Sequence, residues 1–386
     1  MIAPHDATAE EMTEWDRRNV DGAGGHVYQS TVWAAQRERL GWEPRFVGLD
    51  GGSGALVLLR HQPWVGGSSA YVPRGPVHDP GADPLVAVAR MAALADWLRG
   101  QGVDVVAMDP EIAVGPEITA AGAAVRDGLR NAGFRPIPEI QPSRHRVSLT
   151  LHADTDDGAV RASIAKGTRQ RIAAAERDGI VIVRYDAAGW PGDHPLFARP
   201  TRPPGDALAR FATLLEGTGE RRGFRFGPRQ VFIDWWLAAH AAGMLVHLEA
   251  REVAAAAVDG SAPSATDDVV LGGLILYRHG ERLSTVHSAD APGARDRHPG
   301  VMHLLRWRAI QLALREGRTE MDLGGVDVGP YHREPLPGDP LAGLHEHKRS
   351  FGAHWVEMVG AHERVLRPWR ASAGRVTARM ARMVGR

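Results

Sequence analysis

Residues 54–61 read GALVLLRH, and residues 272–279 read GGLILYRH. Five of the eight positions are identical across an offset of 218 residues. Both are apolar runs of strand length. Each is followed by a second strand, a helix closed by glycine, and a buried strand that ends in aspartate, Asp109 in AMDPE and Asp322 in TEMDLGGV. An eight-residue match alone says little. Joined to the same order of elements, it predicts two similar α/β halves.

Working outward, residues 7–18 and 31–40 have the pattern of short helices, and DGGSG at 50–54 is a hairpin turn between PRFVGLD and GALVLLRH. DPLVAVARMAALADWLRGQG is an amphipathic helix stopped by Gly100 and Gly102. In the second half, VRASIAKGTRQRIAAAERDGIVIVRYD is a helix followed by a strand. GWPGDHPLFARPTRPPGD is proline-rich and is expected as a loop, PRQVFIDWWLAAHAAG as a helix, and GVMHLLRWRAIQLALREG as the long helix before the last strand.

The composition is that of a soluble globular chain, 44% hydrophobic and 24% charged, with 46 basic residues balancing 46 acidic ones. A protein that grips a long duplex is normally basic, so any nucleic-acid contact is expected to be small and local. The absence of cysteine removes thiolate nucleophiles, Cys-ligated zinc and disulfides. The acidic N-terminus is no signal peptide, and no run approaches a membrane span, so a cytoplasmic protein is expected. No G-x-x-x-x-G-K-[ST], G-x-S-x-G or H-E-x-x-H occurs. HEH at 345–347 places three adjacent side chains off a shared helix face, so no metal site is expected. No glycine-rich pyrophosphate loop is evident, so neither a dinucleotide nor coenzyme A is expected as cofactor.

Only two lysines occur, Lys166 and Lys348, against 44 arginines. Arginine serves every surface purpose of lysine, so position 348 in LHEHKRSFG asks for something a guanidinium lacks.

Four segments together resemble the FemAB/FemX family of tRNA-dependent peptidoglycan aminoacyltransferases: YQSTVWAAQRERLGWEP; YVPRGPVHD followed by AMDPE; KGTRQRIAAAERDGIVI; and MDLGGV followed by HKRSFGAHWVEMVG. They occur in the family's order within residues 27–366. The resemblance implies an α/β fold of two GNAT-like domains in tandem, the first formed by 1–145 plus about 360–386, the second by 146–359. The region before PRQVF is short, which implies no long coiled-coil arm. The implied reaction moves an amino acid from aminoacyl-tRNA to an amine of a peptidoglycan precursor, a muropeptide stem or lipid II. Two departures stand out. The family's aromatic before the lysine is His347 here, and its muropeptide-binding arginine has no clear match, GFRFGPRQ offering Arg225 and Arg229 in a shifted register. Transfer to a natural-product peptide or amine therefore stays open, as does a GNAT-like acyltransferase that uses acyl-CoA.

The donor is an ester and the product an amide, so no ATP is needed. Negative charge develops on the carbonyl oxygen of the ester, and the resemblance gives Lys348 the task of stabilising it; a compact ammonium suits a site that excludes arginine's planar fork. Asp109, at a strand end, is either a base or orienting group for the acceptor amine or a loop cap. Arg37, four residues after Trp33 on one helix face, matches a residue the family uses on the nucleotide-sugar diphosphate, and Arg74 is a second candidate, with Tyr71 before it and Gly75 allowing close approach. Trp33 and Trp42 read as core in preference to stacking on a ligand, and Trp33, beside Arg37, is also carried as a substrate-binding candidate. Lys166, Arg169 and Arg171 open a helix and are either contacts for the tRNA acceptor end or a solvated face. DLGG at 322–325 reads as a tight turn. At the C-terminus, Arg375, Arg379, Arg382 and Arg386 form a helical stripe that could touch tRNA or the inner face of the membrane.

Overall fold

The computed structural model describes residues 2–61, 67–115, 120–141, 144–152, 154–188, 196–223, 227–252, 269–326 and 332–371. The chain forms two compact units, Met1–Arg146 with Asp327–Glu334 and Val356–Arg386, and Val147–Val326 with Pro335–Trp355. Each is built on one seven-stranded sheet.

In the first unit the strands run in the order His5–Asp6, Glu43–Gly48, Gly54–His61, Ser68–Val72, Val103–Met108, His362–Val365 and Arg135–Pro136. All neighbours are antiparallel except Ser68–Val72 with Val103–Met108. A parallel pair needs a crossover, and helix Pro84–Gly100 supplies it. Asp83 caps that helix by accepting the Leu85 N–H at 2.9 Å, and Pro84 suits its first turn. Its inner face, Met91, Leu94, Ala95 and Leu98, is fully buried against Val57, Val106 and Met108.

The second unit repeats this order: Ile180–Asp186, Leu245–Glu252, Val269–His279, Arg282–Asp290, Glu320–Asp322, Arg146–Thr150 and His354–Val356. Again one neighbouring pair is parallel, Arg282–Asp290 with Glu320–Asp322, joined through helix Val301–Arg315. That helix is buried almost all round, with Leu304, Leu305, Trp307 and Ile310 in the main apolar cluster. The two matching octapeptides thus lie on the third strand of each sheet.

One element departs from the sequence expectation. Residues after the proline-rich run form a helix, Pro204–Arg222, ended by Gly223 in the left-handed region at φ 75°. Its Ala207, Leu208, Phe211 and Leu215 are buried at 5% exposure or less, a periodicity masked by the prolines just before it. At 19 residues it is no coiled-coil arm. Among the described residues, no helix is long and apolar enough to cross a membrane.

Candidate active site

The parallel register of the first sheet pairs Val72 with Met108, so both strands end side by side. Tyr71, next to last in its strand, and Arg74 and Asp109, just beyond the two strand ends, meet there, at the carboxyl ends where α/β sheets hold ligands. Asp109 is 1% exposed. Its Oδ1 accepts the Arg74 N–H at 2.7 Å, and its Oδ2 accepts the Tyr71 hydroxyl at 3.0 Å. Gln141 Nε2 donates to that hydroxyl at 3.0 Å, which fixes Tyr71 as the donor to Asp109. Burial pushes the Asp109 carboxyl up to about 6, against the downward pull of the Arg74 charge and N–H and of the Tyr71 hydroxyl. Burial and the Asp109 charge also hold Tyr71 well above its usual 10. Arg74 sits at φ 48°, a left-handed conformation that costs on the order of 1–3 kcal/mol in a non-glycine residue.

The Arg74 guanidinium stands close enough to Asp109, Glu111 and Tyr28 to interact electrostatically. Tyr28 stacks on Trp33 at 4.3 Å between centroids, and the Arg37 guanidinium lies 3.8 Å from the Trp33 ring centre. Ser30 makes this possible by capping helix Thr31–Arg39 through the Trp33 N–H, at 2.9 Å. Trp33 is 5% exposed, so it is buried in the core, and it is also the plate on which Arg37 rests. Glu111 carries Arg146 at 3.5 Å and His26 at 3.9 Å. Gly75 serves a different neighbour from the one expected: a Cβ there would lie 2.6 Å from Nε2 of the buried Gln29, so the close approach is to the protein's own side chain.

The second unit holds Lys348 in helix Ala342–Arg349, 4% exposed. Its Nζ donates to the Gly324 and Gly325 carbonyls at 2.7 and 2.8 Å, so the DLGG turn and the lysine are one construction. Gly324 needs to be glycine: it has φ 86°, and a Cβ would meet the Thr285 carbonyl at 2.7 Å. Arg306, 2% exposed, donates from Nη1 to Leu323 O at 3.3 Å and from Nε to His347 Nε2 at 2.9 Å. That bond makes His347 a Nδ1–H donor, toward His303 Nε2 at 3.1 Å. Burial, then the Arg306 charge, push the Lys348 amine well below its usual 10.5, and Asp322 pulls the other way. A guanidinium at 348 would be a wider, permanently charged group beside the buried Arg306.

The other expected residues fall as follows. Lys166 and Arg171 are exposed, Arg171 within 3.5 Å of His303. Arg169 spends its guanidinium on the Ala162 and Ile164 carbonyls at 3.0 and 2.6 Å. Arg229 pairs with Glu216 at 2.7 Å and donates to Ala209 O, clipping two helices together. Arg225 and the stripe from Arg375 to Arg386 lie outside the described residues. Among the described residues no group of three or more His, Asp or Glu could hold a metal. Sequence reasoning missed Tyr28, Gln141 and Arg306. Tyr28 heads the YQSTVW segment, the one signal that pointed near it.

The Asp109 environment has a stability consequence. A carboxyl raised from 3.8 to about 6 favours the folded state while protonated, and that contribution fades as pH rises through this window. Asp109→Asn, which mimics the neutral form, should therefore be more stable than wild type at pH 8 by roughly 1–3 kcal/mol, and lose that advantage near pH 4. Calorimetry at both pH values checks it.

No curated protein matches the chain in sequence. A crystal structure of FemX superposes with a TM-score of 0.70 at 19% identity, over 95% of this chain and 98% of that one. Two further solved structures are more distant. L-PGS from Bacillus licheniformis has a TM-score of 0.47 at 12% identity, over 97% and 98% of the two chains. A tandem GNAT protein from the clavulanic acid biosynthesis pathway has 0.46 at 13%, over 95% and 98%. The chain therefore has the fold of FemX, two α/β units in tandem. The model of the FemAB family matches residues 7–234, more than half of the sequence. The chain belongs to the FemAB family, and it is a transferase.

Proposed function

We propose that the protein transfers an amino acid from aminoacyl-tRNA to an amine of a peptidoglycan precursor, a muropeptide stem or lipid II. The observation that carries this reading is the buried Asp109, set near neutrality at the strand ends of a FemAB-family chain. An acceptor amine must lose a proton to attack an ester, and a carboxylate tuned to about 6 takes it at neutral pH. Tyr71 and the Arg74 N–H hold that carboxylate in place. Arg37 and Arg74 bind the diphosphate of the precursor, Arg37 from its Trp33 plate. Stabilisation of the oxyanion depends on Lys348. The exposed Lys166 and Arg171 meet the tRNA acceptor end, while Arg169 and Arg229 are held by protein partners.

Incubation with a charged tRNA pool and candidate acceptors, read by the acceptor's mass, tests the reading. A muropeptide or lipid II gaining one aminoacyl residue supports it. Gain only by a non-muropeptide amine would move the acceptor to natural-product chemistry. The few cations available also predict a shallow salt dependence, with log affinity for charged tRNA falling against log salt with a slope of about −2 to −4. A slope near −10 would mean a far larger RNA footprint.

A further inference from the structure

The turn Asp322–Val326 follows the parallel strand Glu320–Asp322, and its backbone groups are sorted by direction. Leu323 O accepts from Arg306, and Gly324 O and Gly325 O accept from Lys348. Three consecutive carbonyls are thus drawn toward two buried cations. In a trans peptide, the carbonyl of one residue and the N–H of the next point in opposite directions. No cis bond occurs here among the described residues. Pinning Gly324 O and Gly325 O therefore aims the N–H groups of Gly325 and Val326 away from Lys348, on the far side of the turn. The Gly324 N–H is taken by Asp322 Oδ1 at 2.7 Å and the Leu323 N–H by Val147 O at 2.9 Å. Those of Gly325 and Val326 have no partner among the described residues. Buried amides are rarely left so, and Val326 is 1% exposed.

A second, independent observation lies beside the turn. The ladder between the parallel strands ends at Ser284 and Asp322. The next residue, Thr285, has its carbonyl against Gly324, and its hydroxyl is buried with no partner, at 6% exposure of the residue. Two unused backbone donors on one side of a turn at the carboxyl end of a parallel pair describe a place for an anionic oxygen.

We propose that the Gly325 and Val326 amides form the hole that receives the oxyanion of the transfer reaction, and that Lys348 and Arg306 are positioning residues that orient those two peptide planes. This rests on the aminoacyl-transfer reading. The acceptor amine nitrogen bonds to the ester carbonyl carbon, and the carbonyl π pair moves onto oxygen, where the two N–H groups meet it. Collapse re-forms the C=O bond and expels the ribose oxygen of the donor, which takes up the proton that the amine has lost. The product is an amide. Lys348 has two of its hydrogens committed to the Gly324 and Gly325 carbonyls, so its part is to hold the turn.

Replacing Val326 by its α-hydroxy acid analogue exchanges one N–H for an ester oxygen without changing the side chain. In the full-length protein this should lower kcat by about 10²-fold, with KM for charged tRNA and acceptor unchanged. A phosphonate mimic of the tetrahedral intermediate should lose affinity by a similar factor. The same exchange at Gly325 is the second variant, should the first fold poorly. Wild-type kcat in the folded variants would overturn the inference and leave the transfer reading intact. Absence of any transfer by wild-type protein from charged tRNA would overturn both.

Discussion

Lys348→Met is expected to lower kcat by about 10²–10³-fold while the protein still binds acceptor and charged tRNA, because the two amides that Lys348 orients meet the substrate oxygen only in the transition state. The methionine fills similar space but leaves the Gly324 and Gly325 carbonyls without their donor, so both peptide planes are free to turn. Lys348→Arg is expected to be nearly as inactive. A guanidinium at that depth stays charged beside Arg306, 2% exposed, and the turn must move to accommodate it, since even a Cβ on Gly324 would lie 3.3 Å from Nζ. The companion is Lys166→Arg, which exchanges one exposed cation for another and should leave turnover largely intact. Near wild-type kcat for Lys348→Arg would reduce Lys348 to a general cation.

Asp109→Asn is expected to cost about 10²–10⁴ in kcat and to change the pH profile. With Asp109 as base, turnover rises as the carboxyl loses its proton, through about pH 6. In the asparagine variant that limb should vanish and leave a flat, low rate. Paired with the gain in thermal stability at pH 8 described above, this separates a tuned catalytic group from a loop cap. A cap would lose stability when replaced and leave the pH profile alone.

The fold was legible where two halves say the same thing twice. The octapeptides at 54–61 and 272–279 fall on equivalent strands, each one strand from the parallel pair. The aspartates closing VDVVAM and TEM both stand at the end of the fifth strand of their sheet, Asp109 just after it and Asp322 as its last residue. Helix Pro204–Arg222 was not legible, because four prolines within 195–204 break the apolar period before it starts. At the site, Arg37 over Trp33 follows from i,i+4 spacing, which is local geometry. The Lys348 contacts with Gly324 and Gly325 span 24 and 23 residues, and Arg306 reaches the same turn from another helix. No periodicity encodes such a meeting, so DLGG read as a bare turn and the lysine as an isolated charge. Likewise Gln141 reaches Tyr71 across 70 residues, and only the folded sheet brings them together.

The claim that amino acids move from tRNA to an amine is tested most directly at the donor. Wild-type protein, a defined acceptor and a pool of aminoacyl-tRNA should give an acceptor heavier by one aminoacyl residue, with no ATP added. Ribonuclease digestion of the pool beforehand should abolish the gain, and acyl-CoA should not restore it. Transfer that persists after complete ribonuclease digestion, with acyl-CoA as the only acyl donor, would contradict the account.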